Sequence, residues 1–365
     1  MPHDPTIRLA GEYIPLSAIA TLNPSGLAPA HRVVVAFVQQ WLNGAAAFTI
    51  HTSGSTGKPK AVRITRKQME ASAQATAQAL QLKPGMTALL CLDPALIAGK
   101  MMVVRTLVMG MNLIVSEPVA NPLEAMGNER IHFAAMVPYQ VVSVLKSASP
   151  TSINRIEKLI VGGAPLPANL ENELQQYHTQ VYATYGMTET LSHVALRRVN
   201  GPDRSHHFTA LAGVRLQTDE RGCLVIEAPY LNVPIITNDL VTLTGEDQFE
   251  WLGRADHVIN SGGVKIIPEM LEEKIRPVVE DVVGKRRYFI YGYPHASWGQ
   301  QVTLVVEGTL AKEEEERLVS AMKHNLTRFE VPKGVVCLPA FAEVGNGKIN
   351  REASAAKASP PPLSN

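Results

Sequence analysis

Thr52, Ser53, Gly54, Ser55, Thr56, Gly57, Lys58 and Lys60 form one run, with Pro59 between the two lysines. Glycines let the backbone turn left-handed and approach a ligand closely. Successive amides, hydroxyls and lysine charges can then surround an anion. The chemistry implied is a grip on the β- and γ-phosphates of a nucleotide. The run is not a Walker A loop, which has four residues between its glycines and a Ser or Thr after its lysine. Here only Ser55 and Thr56 separate Gly54 from Gly57, and Pro59 follows Lys58. By composition alone the run also suits a surface loop.

Further residues of the right type follow in order. In Tyr185-Gly186-Met187-Thr188-Glu189-Thr190 the ring offers a face for adenine, and Gly186 allows close backbone approach. Glu189 is a hard oxygen donor of the kind magnesium takes. Gly162-Gly163-Ala164-Pro165 is, by itself, a turn signal. Asp239 can accept hydrogen bonds from both hydroxyls of a ribose. Arg254 and Asp256 stand in Gly-Arg-Ala-Asp; a structural salt bridge remains open for Asp239 and Arg254. Ser261-Gly262-Gly263-Val264-Lys265 and Gly347-Lys348-Ile349-Asn350-Arg351 complete the series. The first of these is also compatible with a plain turn between strands.

From about Phe48 to Arg351 this series resembles the adenylate-forming superfamily of acyl- and aryl-CoA synthetases. The resemblance implies two steps: a carboxylate and Mg-ATP give an acyl-adenylate and pyrophosphate, then the CoA thiol gives acyl-CoA and AMP. The substrates and cofactors implied are ATP, Mg²⁺, CoA and a small carboxylic acid; a homodimer is compatible with it. It further implies that Tyr185 stacks on adenine, that Gly163, Ala164 and Pro165 line it, and that Glu189, beside Thr188, contacts magnesium. Asp239 and Arg254 would contact the ribose, although Asn238 stands where the family has glycine. Asp256 would be the hinge, and Gly262, Gly263 and Lys265 would line the pantetheine tunnel. Lys348 would bridge the carboxylate and the α-phosphate once domain closure delivers it.

One departure concerns the acid. Many relatives carry Pro-x-x-His-x-x-Gly; here Leu92 to Gly99 contains no histidine. The short segment ahead of the phosphate run implies that an early subdomain is missing or reduced. With Ile97 to Arg105 and Met187 to His193, these features resemble compact 2-succinylbenzoate–CoA ligases of menaquinone synthesis. That acid carries a second carboxylate, which needs a cation or several donors. The candidates are Arg105, Lys100, Ser192 and His193; Arg105 also suits the surface end of a helix. The alternatives are another aryl- or acyl-CoA synthetase, or an adenylating enzyme that loads an acid onto a separate carrier protein. No carrier domain is expected after Lys348.

The elements that must position these residues follow from periodicity. Strand and helix alternate from Ala46 to Thr184, which predicts a mostly parallel sheet with helices on its faces. The motifs at Gly162 and Tyr185 are expected where strands end, as ligand sites of such sheets require. Residues 1–30 read as irregular. Short strands at 223–227, 232–237, 240–243 and 249–252 predict a small β-subdomain. An α+β segment follows, with helices at 269–279 and 312–325. The expected organisation is a large α/β domain at 1–255, a small mobile α+β lid at 256–352, and a disordered tail at 353–365.

At 365 residues two or more domains fit. A net charge of +1 gives no polybasic case for nucleic acid or anionic membrane. No apolar run is long enough to span a membrane, so a cytoplasmic enzyme is expected. Cys91, Cys223 and Cys337 read as reduced core residues.

Overall fold

The structure is a computed structural model that describes residues 4–51, 61–284, 286–344 and 348–358. The phosphate-loop candidates Thr52 to Lys60 therefore lie outside the described residues, as do Gly345 to Gly347. Contacts divide the chain into two units. The first comprises Met1–Leu216, Ile226–Ile235 and Leu243–Phe249; the second comprises Gln217–Val225, Ile236–Thr242 and Glu250–Asn365.

In chain order the elements begin β1 (Thr6–Leu9), β2 (Glu12–Pro15), α1 (Leu16–Ile19), α2 (Pro29–Leu42), β3 (Ala47–His51), β4 (Ala61–Thr65) and α3 (Arg66–Ala79). Next come β5 (Thr87–Leu90), α4 (Ile97–Met109), β6 (Asn112–Val115), β7 (Ile131–Met136), α5 (Pro138–Leu145), β8 (Ile156–Val161) and α6 (Ala168–Glu173). Then follow β9 (Gln180–Gly186), β10 (His193–Arg198), β11 (Phe208–Ala210), β12 (Arg215–Thr218), β13 (Cys223–Glu227), β14 (Ile235–Leu243) and β15 (Gln248–Arg254).

Within the first unit the sheet order is β11-β10-β9-β8-β7-β5-β6-β1-β2. The run from β9 to β1 is parallel, and its flanks are antiparallel. Ile131–Met136 is a nearly continuous apolar run, and Ile156–Val161 becomes one from Leu159 on, after Glu157 and Lys158, as both-face burial requires. Leu89, Ile114, Ile131, Leu159, Val161 and Val181 make the core between sheet and helices. Helix α3 starts at a capping box, in which Gln68 N donates to the Thr65 hydroxyl and Thr65 N to Gln68 Oε1. Helix α4 stops at Gly110, which is left-handed.

The second unit continues with β16 (Ile259–Ser261), β17 (Val264–Ile266), α7 (Pro268–Val283), β18 (Tyr288–His295), β19 (Gly299–Glu307), α8 (Lys312–Asn325), β20 (Gly334–Leu338), β21 (Glu343–Val344), β22 (Lys348–Ile349) and α9 (Arg351–Ala355). Strands β17-β16-β19-β18 form a sheet, with β20 parallel to β19. Its core is built from α7, α8 and these strands, through Leu271, Ile275, Val279, Leu304 and Leu318.

The expected class, α/β with a large mostly parallel sheet and smaller sheets, is the one found. Several local expectations need correction. Residues 1–30 were expected to be irregular, but among the described ones β1 and β2 pair as a hairpin turning at Ala10 and Gly11, both at positive φ. Residues 232–243 hold one strand, β14, so Asp239 lies within a strand. Its alternating burial explains why short windows miss it. Tyr185 and Gly186 likewise lie inside β9, because β10, a strand the periodicity does not reveal, pairs with them. Residues 353–358, expected in the tail, are ordered through α9 and the following turn, since Ser354 and Ala355 are buried. Cys337 is exposed, one position out of phase with the core residues of β20.

Candidate active site

Strand β9 and the turn after it build the centre of the site. Gly186 pairs with His193 on β10, and a Cβ at Gly186 would stand 2.5 Å from the His193 Cα and 2.5 Å from the Ser192 carbonyl oxygen. The glycine thus admits the neighbouring strand, whatever it also admits of a ligand. Thr188 and Glu189 form a single 3₁₀ turn with Thr190, and Glu189 is exposed. Leu191, at φ 65° and ψ −42°, then reverses the chain. Such a conformation is strained for a branched residue, and it is held by the Thr190 hydroxyl, which donates 2.7 Å to the Ser192 carbonyl. The Tyr185 ring meets Phe249 and Phe208 edge-on, at 5.0 and 5.9 Å between centroids. Gly163, at φ 85°, requires glycine for the turn that carries Ala164 and Pro165.

Behind the β9–β10 pair lies a buried polar cluster of the first unit. Arg105 projects from α4 and is 2% exposed, which excludes the reading of a surface helix end. Its Nη2 donates to the Ser192 hydroxyl at 2.6 Å. Ser192 Oγ is 3.4 Å from His193 Nδ1, and His193 Nε2 is 3.1 Å from Thr76 Oγ1 on α3. Among the described residues no carboxylate stands within ion-pair distance of Arg105, and its Nε is buried without a hydrogen-bond partner. Burial lowers the guanidinium to about 10, so it stays charged near neutrality. Burial, and then Arg105, push His193 well below its ordinary value. The sequence therefore named three members that the fold brings together: Arg105, Ser192 and His193. Lys100 is not in this cluster; its ammonium lies 5.3 Å from the Phe37 ring centroid, and burial lowers its pKa. Tyr230, Ser72 and Thr76 were missed, since no spacing in the sequence links α3, α4, β10 and the segment after β13.

In the second unit, Asp239 and Arg254 also come together. Arg254 Nη1 lies 3.8 Å from Asp239 Oδ1, and the same guanidinium grips Asp256 through two bonds of 2.9 and 2.7 Å. That grip holds Asp256 below the usual carboxylate range. Trp251, absent from the sequence reading, donates its indole N–H to Asp239 at 3.3 Å. Gly262 and Gly263 are the two-residue turn of the β16–β17 hairpin, both at positive φ (59° and 82°), and Lys265 pairs with Asn260 beyond it. This is the turn type that best fits two-residue hairpins. Lys348 opens β22, which pairs with β21, and Arg351 ties the following helix to Glu272 of α7 at 2.7 and 2.9 Å.

Residues 24–219 match the AMP-binding enzyme family. The chain is also 40% identical to an acyl-CoA synthetase (AMP-forming)/AMP-acid ligase II-like protein from Dyadobacter fermentans, covering 93% of this chain and 97% of that one at a TM-score of 0.65. The chain belongs to the AMP-binding enzyme family. It is therefore an adenylate-forming ligase, as the order of its motifs implied. Among curated members, the 2-succinylbenzoate–CoA ligase of Bacillus mycoides is 27% identical, over 87% of this chain and 71% of that protein. The chain spans 66–71% of the length of the curated relatives it matches. The o-succinylbenzoate CoA synthetase of Bacillus subtilis, solved with the acyl-adenylate OSB-AMP, shares the fold at 20% identity and a TM-score of 0.70, covering 86% of this chain and 69% of that one.

Proposed function

We propose that this AMP-binding enzyme is a 2-succinylbenzoate–CoA ligase, with ATP, Mg²⁺ and CoA as its other reactants. The observation that carries the reading is Arg105, a buried cation with no carboxylate partner among the described residues. A buried charge left unpaired is costly, and a dicarboxylic acid would supply the missing anion. Support comes from the curated relatives of that name and from the Bacillus subtilis synthetase solved with ATP and a magnesium ion.

The first step joins a carboxylate oxygen of the acid to the α-phosphorus and releases pyrophosphate. The second joins the CoA sulfur to the acyl carbon and releases AMP. In this reading Tyr185 and the 163–165 turn hold adenine, Asp239 and Arg254 hold ribose, and residues 52–60 hold the phosphates. Lys348 stabilises the charge that develops in the first step. Among the described residues no three His, Cys, Asp or Glu side chains converge. That fits magnesium, which takes one or two carboxylates and completes its shell with phosphate oxygens and water; Glu189 is the carboxylate. When bound, the ion neutralises phosphate charge. Gly262, Gly263 and Lys265 serve CoA, and Asp256 is the pivot between residues 1–255 and a lid of 256–352. The enzyme works in the cytoplasm on small molecules. No helix of the described residues is long and apolar enough to cross a membrane.

The test is CoA-dependent AMP release with 2-succinylbenzoate, benzoate and a medium-chain fatty acid. The dicarboxylate should win by orders of magnitude in kcat/KM, because a site built for a polar group rejects analogues without it. A win by the fatty acid refutes the substrate and leaves the adenylate-forming chemistry intact.

A further inference from the structure

A hydrogen-bonded string in the first unit ends on Arg105. Thr76 Oγ1 lies 3.2 Å from the Ser72 carbonyl oxygen and 3.1 Å from His193 Nε2. His193 Nδ1 lies 3.4 Å from Ser192 Oγ, which accepts from Arg105 Nη2 at 2.6 Å. Both nitrogens of His193 and the hydroxyl of Ser192 therefore already face protein partners.

Three further groups are buried in the same cluster. Among the described residues Arg105 Nε has no hydrogen-bond partner, and the Tyr230 and Ser72 hydroxyls have none but each other. They belong to residues exposed by 2%, 5% and 0%. Arg105 and Ser72 both lie close enough to Tyr230 to bear on its ionisation. The Tyr230 main chain is pinned to α3, where Gln68 Nε2 donates 2.9 Å to its carbonyl. Burial raises the phenol to about 12, so it is neutral and donating across the physiological range. A guanidinium edge beside neutral hydroxyls complements a carboxylate, and a buried orphan donor is expensive until something fills it.

We propose that Tyr230 and the Nε edge of Arg105 contact the anionic arm of the acid, and that Ser192 and His193 are positioning residues acting through Arg105. This rests on the reading that the acid carries a second carboxylate. It reverses the assignment that the sequence invites for Ser192 and His193, and adds a specificity residue with no sequence signature.

The experiment compares wild type with Tyr230→Phe, Ser192→Ala and Ser192→Thr. Each is assayed with benzoate, phthalate, homophthalate and 2-succinylbenzoate, with thermal unfolding as a check on the fold. Phenylalanine removes only a hydroxyl whose one neighbour for hydrogen bonding, among the described residues, is Ser72, so the fold should hold. Tyr230→Phe should cut the preference for the dicarboxylate over benzoate by roughly ten- to hundred-fold, through KM more than kcat. Ser192→Ala should cost less, and threonine should restore it. If Tyr230→Phe keeps the full preference and Ser192→Ala abolishes it, the proposal falls and the substrate reading stands. If the wild type prefers another dicarboxylate and Tyr230→Phe erases that preference, the substrate reading falls and the proposal stands. If the wild type prefers no dicarboxylate, both fall.

Discussion

His193 shows how a single side chain ties stability to pH. In the fold its ring is neutral, squeezed between Thr76 and Ser192 beside the Arg105 charge. In the unfolded chain it takes up a proton below about pH 6.5, the ordinary value. Between that value and the depressed folded one the unfolded chain binds more protons, so stability falls as pH drops. His193→Gln should therefore flatten the decline between pH 7 and pH 5, by up to about 1.4 kcal/mol per pH unit. Urea midpoints at several pH values measure this; parallel profiles for the two proteins would mean that His193 takes up its proton as readily in the fold as in the unfolded chain. The residue types of Arg105, Ser192 and His193 were legible in the sequence because each carries recognisable chemistry beside a motif. Tyr230 was not, because a tyrosine in Ala-Pro-Tyr-Leu looks like any half-buried ring until the chain brings it to α3 and α4.

At the level of elements, the β9–β10 pair carries both halves of the first unit's site. Tyr185 faces Phe249 and Phe208 on one side, and Ser192 and His193 lead to Arg105 on the other. Gly186 keeps the strands together, since a methyl there meets backbone atoms at 2.5 Å that cannot rotate away. Gly186→Ala should destabilise the protein by about 1–3 kcal/mol, the usual cost of overpacking. It should also weaken selection of the dicarboxylate, because β10 positions Ser192. Denaturant unfolding and the substrate panel check this; native stability in the variant would mean that β10 yields without cost. Parallel core strands were readable as apolar runs, whereas β10, β14 and the β1–β2 hairpin were not. Their residues alternate or mix polarity, and they become strands only because a neighbour completes their hydrogen bonds.

For the molecule as a whole, the two half-reactions should separate by mutation. Lys348→Ala should slow adenylation by about 10²–10³-fold, the usual loss for one electrostatic contact made in the transition state. It should still turn over supplied acyl-adenylate with CoA, and equal losses in both steps would refute its role. Gly263→Leu should do the opposite, accumulating adenylate and losing acyl-CoA. Among the described residues a Cβ at Gly263 meets nothing within 4 Å, so the main cost is the strain of a side chain at φ 82°, about 1–2 kcal/mol. Quenched-flow measurement of adenylate and thioester decides the matter; loss of adenylate in a folded variant would give the hairpin another role.

The sequence by itself determined the family, the α/β class and the chemistry, because short motifs of glycine, hydroxyl and charge are local and keep their order. It also determined which strands lie buried, because apolar runs declare burial on both faces. The pairing of Asp239 with Arg254 and Trp251, the turn type at Gly262 and Gly263, and the seat of Lys100 beside the Phe37 ring were decided by the tertiary structure. So was the string of contacts from Arg105 through Ser192 and His193 to Thr76. Such features depend on side chains distant in sequence arriving within hydrogen-bond reach, and only packing around a common core sets those distances.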